Sequence, residues 1–211
     1  MVVTRILKVR RERNRFEVYL DDKPAFRISE TILVKHGLHR GLDIDEDTVG
    51  RIVQADTREL AHQAAVNFIS YRPRSSKEVL DKLVRKGFES DLARQVVDQL
   101  RELMLINDLE FARMFVRDKL RGKPIGKALL RKKLFEKGMS FQLTERILKE
   151  YITPEREQEA AQALAERKFK VSRRRFSGLD LATQQKRLAD YLLNRGFSAE
   201  VAYKTARTII R

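Results

Sequence analysis

The chain has 211 residues, 36% charged and 42% hydrophobic, with 45 Lys and Arg against 30 Asp and Glu, a net charge of +15 and no cysteine. This excludes a disordered chain, a disulfide framework, a thiol nucleophile and a Cys-based zinc site, and His36, His39 and His62 alone make a weak metal set. No run of about 18 apolar residues exists to span a bilayer and the stretch MVVTRILKVRRERNRF lacks the apolar core of a secretory signal, which with the absence of cysteine predicts a soluble, reduced, cytoplasmic protein, while the basic excess predicts an anionic partner.

In chain order, residues 4–10 alternate in part and Arg15–Leu20 alternate cleanly, Asp21-Asp22-Lys23-Pro24 reads as a turn, and Ala25–Ile28 resume the extended pattern. This predicts a small hairpin or three-stranded meander. Ser29 is placed to cap a short helix, Glu30–His36, that Gly37 ends. Asp43–Asp47 lead into another short helix through Val53. The acidic run Asp43, Asp45, Glu46, Asp47 lacks calcium-loop spacing and reads as charge at a helix N-terminus. A meander of this size is marginal alone and is expected to lean on the segments C-terminal to it.

From about residue 57 the pattern is helical and repeats. Gly87, Gly138 and Gly196 each follow a basic residue (Lys86, Lys137, Arg195) and precede an apolar one (Phe88, Met139, Phe197). Leu83, Leu134 and Leu192 stand four residues before each glycine; Val79, Leu130 and Leu188 stand eight before. Leu92, Leu143 and Val201 stand five after, and Ser90, Ser140 and Ser198 follow within three. The pattern predicts a helix ending in a left-handed glycine, then an apolar contact, then a serine cap opening the next helix. Upstream, Ala64-Ala65-x-x-Phe68-Ile69 aligns with Phe111-Ala112-x-x-Phe115-Val116 and Ala160-Ala161-x-x-Leu164-Ala165. Three tandem three-helix units follow from this alignment. Ser75-x-x-Glu78 predicts a capping box, Asn107-Asp108 a cap, and Thr153-Pro154 a cap with an N1 proline.

The charge is uneven. Residues 1–56 hold 11 basic and 10 acidic residues and 57–108 hold 9 and 8, whereas 109–150 hold 12 and 5 and 157–211 hold 12 and 6. The units also differ in length, mainly between their first and second helices. These connections read as Tyr71–Arg74, Arg117–Pro124 and Glu166–Arg175. Insertions in repeat arrays map to one face, often the binding face. Arg72, Arg74, Arg117, Lys119, Arg121, Lys123, Arg173, Arg174 and Arg175 are therefore expected to form a basic stripe, which Lys127, Arg131, Lys132 and Lys133 extend along the second helix of the second unit. Such cations suit phosphate oxygens and suit the carboxylates of a protein equally. No phosphate-binding glycine loop, dinucleotide motif or nucleophile elbow is present, so no enzymatic activity and no cofactor or metal is expected.

Ile69-Ser70-Tyr71-Arg72-Pro73-Arg74-Ser75, with Glu78, Leu83, Lys86 and Gly87, closely resembles the first repeat of the RecX family of bacterial regulatory proteins. Ile106-Asn107-Asp108-x-x-Phe111-Ala112-x-x-Phe115-Val116, with Pro124, Gly126, Leu130, Leu134, Lys137 and Gly138, resembles the second. The order Pro124-Ile125-Gly126 departs from the usual Gly-Pro of the family. The resemblance implies a mainly α fold of three tandem three-helix repeats in an elongated, curved array. It divides the chain into 1–56, a small β-strand and short-helix segment, and repeats 57–107, 108–152 and 153–211. It also implies a monomeric protein that binds the RecA–DNA filament and modulates, most often by inhibition, RecA ATPase, strand exchange and co-protease activity, in the setting of DNA repair, homologous recombination and the SOS response. Single- or double-stranded DNA would be bound weakly and electrostatically, with no membrane partner. The basic composition leaves a general nucleic-acid-binding helical repeat protein as the alternative.

Overall fold

A computed structural model describes residues 1–10, 12 and 14–211, with the backbone alone of Arg175. Among the described residues are three strands and eleven helices. Strands β1 (Val3–Lys8), β2 (Arg15–Leu20) and β3 (Lys23–Ser29) form an antiparallel meander in the order β1-β2-β3. Asp21 and Asp22 make the β2–β3 turn, both at positive φ, a conformation that aspartate tolerates better than most side chains. Helix α1 (Glu30–Lys35) follows at once, with Ser29 accepting the Ile32 N–H. Helix α2 runs unbroken from Glu46 to Ser70, and the Asp45 carboxylate caps it by accepting the Thr48 N–H at 2.8 Å.

The helix expected to stop near Val53 is therefore the first half of a 25-residue helix. No glycine or proline interrupts Arg51–Ser70, and a helix without a breaker continues while its faces stay buried. Its first half carries the sheet: Ile52 packs in one cluster with Val3, Val18, Leu20, Ile28, Ile32, Leu38 and Ile44. Asp56, also in α2 and buried, accepts from Arg15 at 2.6 Å and from the Ser29 backbone N–H at 2.7 Å. The expected leaning of the meander thus takes the form of an apolar face and one buried carboxylate whose bonding needs are met.

The remaining helices are α3 (Ser76–Arg85), α4 (Ser90–Glu102), α5 (Asp108–Arg121), α6 (Lys127–Glu136), α7 (Phe141–Tyr151), α8 (Pro154–Val171), α9 (Arg173–Phe176), α10 (Leu181–Asn194) and α11 (Ala199–Ile209). Three-helix units emerge as α2-α3-α4, α5-α6-α7 and α8-α10-α11, with the single-turn α9 added to the last. By compactness the chain divides into Met1–Arg72 with Val79–Leu105, and Pro73–Glu78 with Ile106–Arg211. In the second of these bodies, one core gathers Phe111, Ala112, Val116, Leu130, Leu134, Ile147 and Leu148. Another gathers Ala161, Leu164, Ala165, Leu188, Leu192, Phe197, Ala202 and Ala206. Leu83, Leu134 and Leu192 are all completely buried, as their alignment requires.

The capping signals mostly hold. Ser75 and Glu78 close a reciprocal box: the Ser75 N–H donates to the Glu78 carboxylate at 3.3 Å and the Glu78 N–H donates to Ser75 Oγ at 3.2 Å. Asn107, Ser140, Thr153 and Ser198 cap α5, α7, α8 and α11. Ser90 does not cap α4. It stands three residues after its glycine where Ser140 and Ser198 stand two after, so it falls inside the helix and Glu89 takes the cap position without a side-chain bond.

Each unit's second helix closes with the same turn. The N–H after the glycine donates back to the leucine carbonyl: Phe88 to Leu83 at 3.3 Å, Met139 to Leu134 at 3.1 Å, Phe197 to Leu192 at 3.2 Å. The glycines have φ of +93°, +83° and +87°, a region costly for residues with a Cβ. Gly138 and Gly196 meet a second demand: a Cβ on either would overlap Lys77 or Leu129 respectively, whereas one on Gly87 would meet nothing within 4 Å. Gly87→Ala is expected to cost about 1–2 kcal/mol, the left-handed penalty, and Gly138→Ala about 1–3 kcal/mol more, from overlap. Leu134→Ala, in a filled core, should cost about 2–5 kcal/mol. Urea unfolding of the three variants checks the order; equal losses at the two glycines would refute the close approach.

Candidate interaction surface

The basic connections of the second and third units are largely helical rather than looped. Arg117 to Arg121 complete α5, and Glu166 to Val171 complete α8. The extra residues of the second unit, and part of those of the third, thus lengthen the first helix, because Arg, Lys, Leu and Glu favour helix and the first interruption comes at Gly122 in one case and Ser172 in the other. At about 100° per residue, Arg117 and Arg121 share a face of α5 opposite the buried Ala112 and Val116. Both are exposed, as is Lys123 in the loop after the helix. Lys119, also exposed, turns its ammonium over the Phe115 ring at 5.2 Å, a modest cation–π contact.

Two of the four cations of α6 face a carboxylate of α7. Arg131 donates to Glu145 of α7 at 2.6 Å, and the Lys127 ammonium lies 3.9 Å from the same carboxylate. This carboxylate is held below the ordinary glutamate range, chiefly by the Arg131 hydrogen bond. Lys132 is exposed and Lys133 half-buried, and adjacent helical residues point about 100° apart. Arg72 and Arg74, in the connection before α3, are engaged by neighbouring groups. Arg173 and Arg174 are exposed on α9, which Phe176 anchors by packing edge-on against Phe169 at 5.4 Å. The Arg175 side chain lies outside the described residues. Of the cations expected in the stripe, Arg117, Lys119, Arg121, Lys123, Lys132, Arg173 and Arg174 are exposed. Lys127 and Arg131 both lie against the Glu145 carboxylate.

Two cationic groups escaped the length comparison because they lie outside the inserted segments. On α11 and the residues after it, Tyr203, Lys204, Arg207, Thr208 and Arg211 line one shallow surface, and their i, i+3, i+4 spacing was the available signal. In the N-terminal body, Lys35, Arg51, Arg58 and His62 share a cleft of about 400 Å³ with Glu59. They come from α1 and α2, in segments whose net charge is near zero, so only the fold brings them together.

An antiparallel three-stranded sheet followed by tandem three-helix units, with basic side chains spread over the outer helix faces, defines the class. The first, second and third three-helix domains of RecX match residues 61–100, 107–146 and 155–205, and the regulatory protein RecX N-terminal domain matches residues 1–45. The chain belongs to the RecX family of regulatory proteins. It is 31% identical to the regulatory protein RecX of Bacillus cytotoxicus, over 95% of this chain and 74% of that protein. It is 29% identical to that of Listeria monocytogenes, over 99% and 75%. Its fold is similar to a crystal structure of regulatory protein RecX, with a TM-score of 0.76, 26% identity and 98% of each chain covered. The crystal structure of RecX from Lactobacillus salivarius gives a TM-score of 0.63 at 29% identity, over 74% of this chain and 97% of that one. No helix among the described residues is long and apolar enough to cross a membrane.

The Arg131–Glu145 pair sets a pH signature. A carboxylate whose folded value is depressed stabilises the fold above the ordinary glutamate value near 4.3 and loses that contribution as pH falls through the folded value. Glu145→Gln should cost about 0.5–1 kcal/mol at pH 7, with the difference from the parent chain fading as pH falls below the ordinary glutamate value. Thermal melts across that range measure it; a difference independent of pH would show that the pair contributes nothing.

Proposed function

We propose that this chain binds the RecA–DNA filament and lowers RecA ATP hydrolysis, and with it strand exchange and co-protease activity, without catalysing a reaction itself. The observation that carries the reading is membership of a family of regulatory proteins along nearly the whole chain, N-terminal sheet and all three helical units included. The charge distribution supports it. Arg117, Arg121 and Lys123 are exposed cations in the half of the chain that holds most of the +15 excess, and a filament built on DNA offers phosphates and acidic side chains to such groups. We place the protein in the cytoplasm, as a monomer acting in recombinational DNA repair and the SOS response, where RecA filaments form.

A direct contact with DNA is favoured by the α11 surface. Tyr203, 40% exposed, sits among Lys204, Arg207 and Arg211, a pairing of ring and cations suited to single strands. This contact adds to the filament reading; a general nucleic-acid binder would show it alone.

The test is RecA ATPase on single-stranded DNA with this protein at substoichiometric amounts. Inhibition is expected, and no change in rate or filament length would sink the proposal. Reversing Arg117, Arg121 and Lys123 together to Glu should weaken DNA and filament binding well beyond the effect of the same reversal at Arg5, Lys8 and Arg10. It should also lower the salt slope by about one for every phosphate that the variant no longer neutralises. The fold should survive, because none of the three is buried. Equal losses in the two variants would assign binding to net charge rather than to this patch.

A further inference from the structure

The three glycine turns are built alike, and two of them grip the same object. Gly138 presses on Lys77 and Gly196 on Leu129, and both targets lie in the first turn of a second helix. At the third turn the contact is backbone to backbone. The Gly126 N–H donates to the Arg195 carbonyl and the Ala128 N–H donates to the Gly196 carbonyl, each at 2.9 Å. These are N–H groups that a helix N-terminus leaves without intrahelical partners. The basic residue before each glycine completes the grip: Lys137 donates to the Glu78 carboxylate at 2.6 Å, and Arg195 to the Pro124 carbonyl at 2.8 Å. A carboxylate from the next unit's first helix adds a cap, Asp108 accepting the Ser76 N–H at 2.9 Å and Glu157 the Lys127 N–H at 3.2 Å.

The first turn, Lys86-Gly87-Phe88, has the same internal hydrogen bonds and the same left-handed glycine, yet receives no helix start among the described residues. Space for a Cβ on Gly87 is open. Among the described residues the carbonyls of Lys86 and Gly87 accept no hydrogen bond, and the exposed Lys86 ammonium has no ion pair.

We infer that the Lys86-Gly87-Phe88 turn is a docking site for the N-terminus of an α-helix on the filament protein, an inference that rests on the function proposed above. The two filled turns define the occupant. Its cap residue is glycine or a small side chain, as Gly126 and Ser75 are. Its first N–H groups point outward to the Lys86 and Gly87 carbonyls, as those of Gly126 and Ala128 do to the Arg195 and Gly196 carbonyls. It offers an acceptor to the Lys86 ammonium, as Glu78 does to Lys137.

A second copy of this chain does not fit. Of the three second helices, α10 is the one whose first turn receives no glycine turn among the described residues, and its landing site is closed. Leu188 is the eighth residue of α10, whereas Val79 and Leu130 are the fourth of α3 and α6. The residue matching Gly126 is therefore Gln184, inside the helix, with its N–H already donated to the Asp180 carbonyl at 3.0 Å.

The experiment compares the parent chain with Gly87→Asn, Lys86→Glu and Gly41→Asn in co-sedimentation with RecA filaments on single-stranded DNA, and in anisotropy with that DNA alone. Asparagine accepts a left-handed backbone better than other side chains, and Gly41 has φ of +90° with open space around it. Gly41→Asn therefore controls for backbone strain at an unrelated place. Lys86→Glu alters an exposed side chain and keeps the test alive if Gly87→Asn unfolds by circular dichroism. Filament affinity should fall at least tenfold in Gly87→Asn and Lys86→Glu and hold in Gly41→Asn, with affinity for bare DNA changed less than twofold in Gly87→Asn. Unchanged filament binding by both turn variants, with the parent chain bound, overturns the docking site and leaves the proposed function standing. Failure of the parent chain to bind overturns both. A concentration-dependent dimer of the free protein in sedimentation velocity, abolished in Gly87→Asn, also overturns it, because the turn would then dock a second copy.

Discussion

The contact on which the second body of this protein depends is a backbone meeting between a left-handed glycine turn and a helix N-terminus. A helix that starts without a strong side-chain cap carries unsatisfied N–H groups, and α6 starts at Gly126, which has no side chain to offer. The turn around Gly196 supplies two carbonyls at that place, and Glu157 supplies a third acceptor. The approach is possible because Gly126 and Gly196 both lack a Cβ; either one, built, would fall on the backbone opposite. The glycines that end α6 and α10 thus serve two needs that are easily confused, the sign of φ and the closeness of a neighbour. Gly87 meets the first alone.

Charge works on a different scale in this molecule. Several of its surface cations are tied to carboxylates close by, as Arg113 is to Glu110 and Glu150, and Arg131 to Glu145. Pairs of that kind are worth a few tenths to one kcal/mol, too little to organise a fold but enough to remove a cation from a binding face. The number of cations in the C-terminal half therefore overstates the number left free for a partner. The cations left for a partner are set by which helix face each one occupies: Arg117 and Arg121 point away from their core, whereas Lys127 and Arg131 point at α7.

Most of the architecture is legible because glycine and proline punctuate it. The Leu-x-x-basic-Gly-apolar signature locates all three second helices, and the buried Leu83, Leu134 and Leu192 follow from it. The capping box at Ser75 and Glu78 is equally plain. The misreadings share one physical cause: local signals do not reveal where a helix stops when no breaker is present. Sequence predicts two helices where α2 runs through, because the acidic cap near Asp45 and the apolar pattern after residue 57 are separate signals for one element. The basic segments at 117–121 and 166–171 read as connections because they carry charge, although arginine, lysine and leucine are good helix formers. The pairing of Arg131 with Glu145 joins residues fourteen apart on two helices, and no sequence spacing announces a contact that depends on how α6 crosses α7. Pro124-Ile125-Gly126 reads as a displaced motif; it is the place where a side chain is forbidden.

The same reasoning explains why the ends of the series differ. A repeated contact between a turn and a helix start has two complementary halves, and a finite series must leave one half over at each end. At the C-terminal end the exposed half would be the start of the last second helix, two N–H groups beside an apolar surface, a ready template for a second chain. Here α10 begins a turn early and bonds those groups within itself, and Asp180 caps the new start by accepting the Thr183 N–H at 3.0 Å. The longer first-to-second connection of the third unit supplies the residues for that extra turn. At the other end the leftover half is two carbonyls and a lysine, which water solvates readily and which carry no apolar liability. Nothing in the stability of the chain requires that this half be covered, and so it is free to be kept for a partner.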